Sequence, residues 1–157
     1  MGGGRWEVGG IRTGLRYFGF SSSSPSDQIQ RMPPPVVQSY RDLLVWNRAI
    51  DLAFLVYHLT KSLPSEERFG LQSQARRAAI SIPANIAAGK GRRHLKEYLH
   101  SLGVARGSIK ELETHLELMI RIGYLAPEAA SPAIQQAEEL SRMLAGLCRR
   151  LSNRIGR

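Results

Sequence analysis

The chain has 157 residues, enough for one domain and short for two, with 22 Lys and Arg against 13 Asp and Glu and a formal net charge of +9. That balance points to a polyanionic partner. One cysteine, Cys148, excludes an intramolecular disulfide framework and a cysteine metal site, and no apolar run approaches the ~18 residues of a membrane span. Aromatics are few, Ala and Leu are many, and no alternating run marks a strand, so the expectation is an all-α protein located in the cytoplasm.

Residues 1–38 are rich in Gly, Ser and Pro and hold no period. They read as a disordered extension or as sequence upstream of the true start, with Met32 as an alternative initiator. Arg12 and Arg16 interrupt the apolar centre a signal peptide would need, and Trp6 stands where a myristoylation signal wants Ser or Thr. The folded domain is placed at 39–157. It keeps 18 Lys and Arg against 11 Asp and Glu, so the charge belongs to the domain.

A first helix is expected over Arg41–Ser62, capped by Ser39. From Leu43 to Leu59, thirteen of seventeen residues are apolar, more than one buried face requires. The surplus implies a second surface covered by another subunit or another protein. Leu63-Pro64-Ser65-Glu66-Glu67 stops that helix, and its carboxylates suit the positive end of the next one.

A second helix is expected over Glu66–Ala88, with Ala75, Ala78, Ala79, Ile82 and Ile86 as its apolar stripe. Pro83 should kink or locally break it, Ser81 should help satisfy the freed backbone, and Gly89 and Gly91 should act as C-caps. A third helix is expected over His94–Ile122, with Leu95, Leu99, Leu102, Ala105, Ile109, Leu112 and Leu116 inward. Gly103 and Gly107 each cost it about 1 kcal/mol relative to Ala, which points to a close neighbouring backbone. A fourth, with Pro132 in its first turn after Ser131, runs to Asn153. Short connections between four helices give an up-down-up-down antiparallel four-helix bundle.

No catalytic arrangement stands out. His58, His94, His100 and His115 form no HExxH pair, Gly89-Lys90-Gly91 lacks the spacing of a phosphate loop, and Cys148 sits among Leu144, Leu147 and Leu151 as a core residue. No enzymatic activity, cofactor or metal is expected. The basic residues are more informative, because grouped guanidinium and ammonium groups accumulate phosphate contacts. Three clusters are candidates for nucleic acid: Arg76 with Arg77; Lys90, Arg92, Arg93 and Lys96; and Arg149 with Arg150. The alternatives are ion pairs of Arg76 and Arg77 with Glu111 and Glu113, and macrodipole compensation by the C-terminal arginines. The turn cluster is the best candidate, with Glu97 as its one nearby acid. Arg106, Glu111 and Glu113, with Gly103 and Gly107, read as a network fixing helix register or subunit orientation. Few exposed aromatics are expected, so little base stacking.

Three stretches carry a family resemblance. They are Tyr40-Arg41-Asp42-Leu43 with Trp46, Ala49, Leu52 and Tyr57; Gly70-Leu71-x-x-Gln74-x-x-Arg77-Ala78-Ala79-x-Ser81-Ile82-Pro83-Ala84-Asn85-Ile86-Ala87; and Ala105-Arg106-Gly107-Ser108-x-x-Glu111-Leu112-Glu113-Thr114. Over about residues 40–152 the chain resembles the bacterial four-helix-bundle family. That family includes the S23 proteins encoded in intervening sequences of large-subunit ribosomal RNA genes and the accessory variability determinant of diversity-generating retroelements. The resemblance implies a ring-like homopentamer with a basic surface and, for the retroelement relatives, binding to nucleic acid and a reverse transcriptase. It carries over no catalytic residue. Ala88 stands where the family commonly has Glu, which makes the turn more positive, and His94 stands where Ser or Thr often caps the third helix. The expectation is a non-enzymatic oligomeric bundle that binds structured RNA or an RNA–DNA hybrid through phosphates, with a reverse transcriptase as the further partner the resemblance implies. The alternative is a scaffold for an acidic protein.

Overall fold

The computed structural model describes residues 38–155, so the reading of residues 1–38 as an extension lies, but for Gln38, outside the described residues. Four α-helices appear in the order α1 (Leu44–Leu59), α2 (Leu71–Lys90), α3 (Leu95–Ile122) and α4 (Pro127–Ser152), and no strand occurs among the described residues. The Ser81 and Ser108 hydroxyls meet at 2.9 Å between α2 and α3. Arg76 on α2 reaches Thr60 just past α1, and Leu44 and Val45 at the start of α1 share a concavity with Leu147 and Arg150 near the end of α4. Each helix thus runs antiparallel to the next, as the pattern of short turns implies.

The core is the sum of four inward stripes. Val45, Ala49, Leu52 and Val56 come from α1; Ala75, Ala78, Ala79, Ile82 and Ile86 from α2; Leu102, Ala105, Ile109, Leu112, Leu116 and Met119 from α3; and Ala130, Ala133, Ala137, Leu140 and Leu144 from α4. Asn47, Asp51 and His58 occupy the exposed side of α1. Leu44, Ile50 and Phe54 are exposed as well, so the surplus apolar surface read from the first helix is real in the single chain.

The first expected helix is divided. Ser39 does cap, but it caps a 3-10 turn over Tyr40–Asp42: its side chain accepts from the Arg41 N–H while Asp42 accepts from the backbone of Ser39. Leu43 is extended before α1 begins, and another 3-10 turn, Thr60–Ser62, follows it. The second expected helix is divided too, with a 3-10 turn at Ser65–Arg68. Glu67 folds its carboxylate onto the start of α2 and accepts the Leu71 N–H at 2.8 Å, an anion at a helix N-terminus as expected.

Pro83 neither breaks α2 nor ends it; the helix is continuous through it. The cost of an interior proline is about 3 kcal/mol, and the burial of Ile82 and Ile86 on either side, at about 1.5–3 kcal/mol each, offsets it. Ser81 does not spend its hydroxyl on the freed backbone as expected; it pairs with Ser108 and accepts from Asn85 at 3.1 Å. The fourth helix starts five residues earlier than expected. Pro127 takes the first position and Pro132 lies inside, because Ala130 and Ala133 are both wanted in the core.

Glycine roles are redistributed. Gly123 ends α3 in the left-handed conformation at φ 89°, where a side chain is strained. Gly91 caps α2, but Gly89 lies within it and is buried. A Cβ on Gly89 would stand 2.7 Å from the Tyr98 ring and 2.8 Å from the Cβ of Ser101, so this glycine, and not Gly103 or Gly107, admits a neighbour. A Cβ on Gly103 or Gly107 meets nothing within 4 Å, and both are exposed. The close backbone expected beside them is absent from the single chain.

Gly89→Ala should therefore lose about 1–3 kcal/mol of stability to overpacking despite the better helix former. Gly103→Ala should gain up to about 1 kcal/mol. Urea midpoints of the two variants against the parent chain check the opposite signs.

Candidate nucleic-acid interface

The antiparallel order brings three chain segments to one end of the bundle: 40–49 at the start of α1, 86–100 across the α2–α3 turn, and 146–155 at the close of α4. Trp46 and Ala87 line one concavity, Gly89 faces Tyr98, and Leu43 and Leu44 line another with Leu147 and Arg150. Those segments hold nine Lys and Arg (Arg41, Arg48, Lys90, Arg92, Arg93, Lys96, Arg149, Arg150 and Arg154) against two carboxylates, Asp42 and Glu97. The remainder of the described chain holds eight Lys and Arg and nine Asp and Glu. The net positive charge of the bundle is thus gathered at one end.

Two of the three basic clusters, the turn and the C-terminal arginines, are joined there. Arg92, Arg93, Lys96, Arg149 and Arg150 are exposed, and Lys90 is half-buried. Arg92 and Lys96 share an open concavity with Glu97, His100 and Ser101. His100, one turn after Lys96 on α3, belongs to this surface, although a histidine adds no formal charge to the run of cations. Its signal is in the spacing, since residues four apart share a helix face. Asp42 is occupied by the backbone N–H groups of Gln38 and Ser39 at 3.1 and 2.8 Å, which leaves Glu97 as the acid in the concavity.

Arg76 and Arg77 lie elsewhere. Lys90 follows Arg77 by thirteen residues of continuous α2, about 20 Å at 1.5 Å per residue. Arg76 serves the fold: its Nε donates to the buried Thr60 hydroxyl at 2.9 Å, its other arm points to the Tyr57 carbonyl at 3.4 Å, and its guanidinium lies 4.8 Å from the centre of the Tyr57 ring. Thr60 in turn donates to the Val56 carbonyl at 2.8 Å. Neither Arg76 nor Arg77 reaches Glu111 or Glu113.

The expected charged network between helices is not formed within the chain. Glu113 pairs with Lys110 at 2.7 Å, and Glu111 stands 3.7 Å from His115, both on α3. Every ion pair among the described residues lies within one helix, including Arg121 with Glu117 and Arg142 with Glu138, and such pairs contribute only a few tenths of a kcal/mol. Arg106 has no carboxylate partner among the described residues. It lies toward Cys148 on α4 and pulls that thiol down, while burial, the larger effect, pushes it above its ordinary 9.0. Burial, aided by Cys148, also pushes the Tyr98 phenol above 10.0. A thiol held protonated is a packed residue and not an activated nucleophile. The exposed aromatics among the described residues are Phe54 at 67%, Tyr57 at 38% and Phe69 at 85%.

No metal-binding group of three or more His, Cys, Asp or Glu occurs among the described residues, and none of their helices is long and apolar enough to cross a membrane.

Residues 41–146 match the model of the 23S rRNA-intervening sequence protein family. No curated protein matches the chain. The chain is similar in fold to a crystal structure of a protein of unknown function from the S23 ribosomal protein family of Bacteroides thetaiotaomicron, with a TM-score of 0.63 and 24% identity over 67% of this chain and 98% of that one.

Two outcomes test the local chemistry. Arg76→Met should cost about 1.5–3 kcal/mol, the worth of hydrogen bonds from a charged group, read as a lowered urea midpoint. Tyr98 and Cys148 hold their protons to higher pH folded than unfolded. The stability they contribute is complete below about pH 8 and falls as the unfolded chain ionises above it. The melting temperature should therefore drop between about pH 8 and about pH 10.5, and Cys148→Ala should reduce that drop.

Proposed function

The chain belongs to the 23S rRNA-intervening sequence protein family, and from that premise we propose that it is a non-enzymatic protein that binds structured RNA through backbone phosphates at the basic end of its bundle. The observation that carries this reading is the segregation of charge. A bundle needs no such segregation to fold, and nine cations against two carboxylates at one end repel one another, so a polyanion that neutralises them is favoured there. An A-form helix presents rows of phosphates at a surface while its deep, narrow major groove hides the base edges. Exposed Lys and Arg gathered at one end suit that target, and an RNA–DNA hybrid offers the same rows. A role beside a reverse transcriptase is the finer form of this reading that the family resemblance implies.

Self-association belongs to the same proposal. Ile50 is exposed beside an apolar groove formed by Tyr40, Trp46, Pro83, Ala84 and Ala87. The groove borders the basic end, so copies joined there into a ring, a homopentamer by the family resemblance, would place their cations side by side. The same groove supports the second reading, a scaffold for an acidic protein partner with no nucleic-acid role. Phosphate binding is the stronger reading because the cations cluster beside the groove and not within it.

The reading is tested by titrating an RNA stem-loop against the protein over a range of salt. Engaging six or more phosphates lowers affinity by about 10³ or more between 50 and 200 mM salt. Arg92→Glu with Arg93→Glu should weaken binding at least about tenfold and flatten the log–log salt slope by about one for each phosphate no longer engaged. Arg121→Gln, at the far end of the bundle, should leave both unchanged. Affinity indifferent to salt and to the Arg92 and Arg93 changes would favour the scaffold reading.

A further inference from the structure

The α1–α2 face carries aromatic surface that the basic end does not use. Phe69, in the connector before α2, is 85% exposed, and Tyr57 on α1 is 38% exposed. Between them lies an open concavity of about 310 Å³, at the lower limit of small-ligand sites, roughly 300–1,000 Å³. Arg68, Arg76 and Arg77 border it, and no carboxylate does. Two of these arginines already lie against rings: Arg76 is 4.8 Å from the centre of Tyr57, and Arg68 is 5.7 Å from that of Phe69.

We infer that this concavity holds an unpaired nucleotide of single-stranded RNA, its base stacked on Phe69 and Tyr57 and its flanking phosphates met by Arg68 and Arg77. Arg76, fixed by Thr60 and the Tyr57 carbonyl, is a positioning residue that holds the Tyr57 ring. The chemistry favours an unpaired base. A duplex keeps its base faces inside, whereas an unpaired base offers a flat π surface that aromatic rings and guanidinium planes receive regardless of sequence. An acidic helical peptide would need anchors over two turns, and the concavity is too small for that. Arg77 lies about 20 Å along α2 from Lys90, within reach of a few nucleotides. One RNA with a stem on the basic end and a loop or tail on this face would engage both.

This inference takes its kind of ligand, though not its location, from the RNA reading above. The test uses the full chain with two probes: a blunt RNA stem, and an oligoadenylate carrying 2-aminopurine, whose emission falls when its base stacks. The oligoadenylate should bind with quenched emission. Phe69→Ala should weaken it about tenfold and abolish the quench, Phe69→Trp should retain both, and neither should move the stem affinity. Arg92→Glu with Arg93→Glu should weaken the stem and leave the quench. Since Phe69 is so exposed, its loss should leave the circular dichroism unchanged. A stem that binds beside an unquenched oligoadenylate, or a quench that survives Phe69→Ala, overturns this inference alone; if neither probe binds, the RNA reading has failed. An acidic peptide, or a second copy seen in sedimentation, that Phe69→Ala releases while oligoadenylate affinity stays unchanged assigns the concavity to protein and overturns the inference too.

Discussion

The approach of α2 to α3 across small side chains governs the geometry of everything else. Ala75, Ala78, Ala79 and Gly89 on one side and Ser101, Ala105 and Ser108 on the other are buried, and the seam carries a hydroxyl–hydroxyl bond at its middle. Small residues let two backbones come close, and closeness permits the short connection from Lys90 to Leu95. Residues 91–94 of that turn are all exposed, so Arg92 and Arg93 stand in solvent. The basic end is a consequence of the tight hairpin as much as of the residues placed on it.

The seam also explains why charge plays so small a part in holding the helices together. Ion pairs within single helices contribute little and fix no register. What fixes register here is shape and a few hydrogen bonds: the Tyr98 ring and Ser101 against Gly89, Ser81 against Ser108, and the Arg76 fork on Thr60. With register settled by these few contacts, Lys and Arg elsewhere stay available to the surface.

The helical stripes are legible in the sequence because they repeat at three and four over long stretches, and every one of Ala75, Ala78, Ala79, Ile82 and Ile86 is buried. Gly103, Gly107 and Gly89 mislead for one reason: a glycine in a helix signals a local cost, and only the partner helix reveals which glycine admits a neighbour. The start of α4 is ambiguous because Pro127 and Pro132 both satisfy the rule for a first helical position, and the burial of Ala130 decides between them. The turn cluster is visible as a run of cations in sequence. Its union with Arg149 and Arg150 follows from topology, and an up-down-up-down order already implies that the start of the third helix and the end of the fourth share one end.

The distribution of exposed charge and apolar surface separates two kinds of surface on one small bundle. At the basic end, Lys and Arg stand on a solvated surface, a setting that rewards polyanions of any sequence and weakens steeply with salt. On α1 and in the connector before α2, the exposed rings of Tyr57 and Phe69 lie 4.8 and 5.7 Å from guanidinium groups, and stacking there should resist salt more than the phosphate contacts do. A ligand that satisfies both must be charged along its length and must also present flat apolar faces at some point. A duplex alone meets the first demand, an acidic peptide alone meets neither in full, and an RNA that is paired in part and open in part meets both.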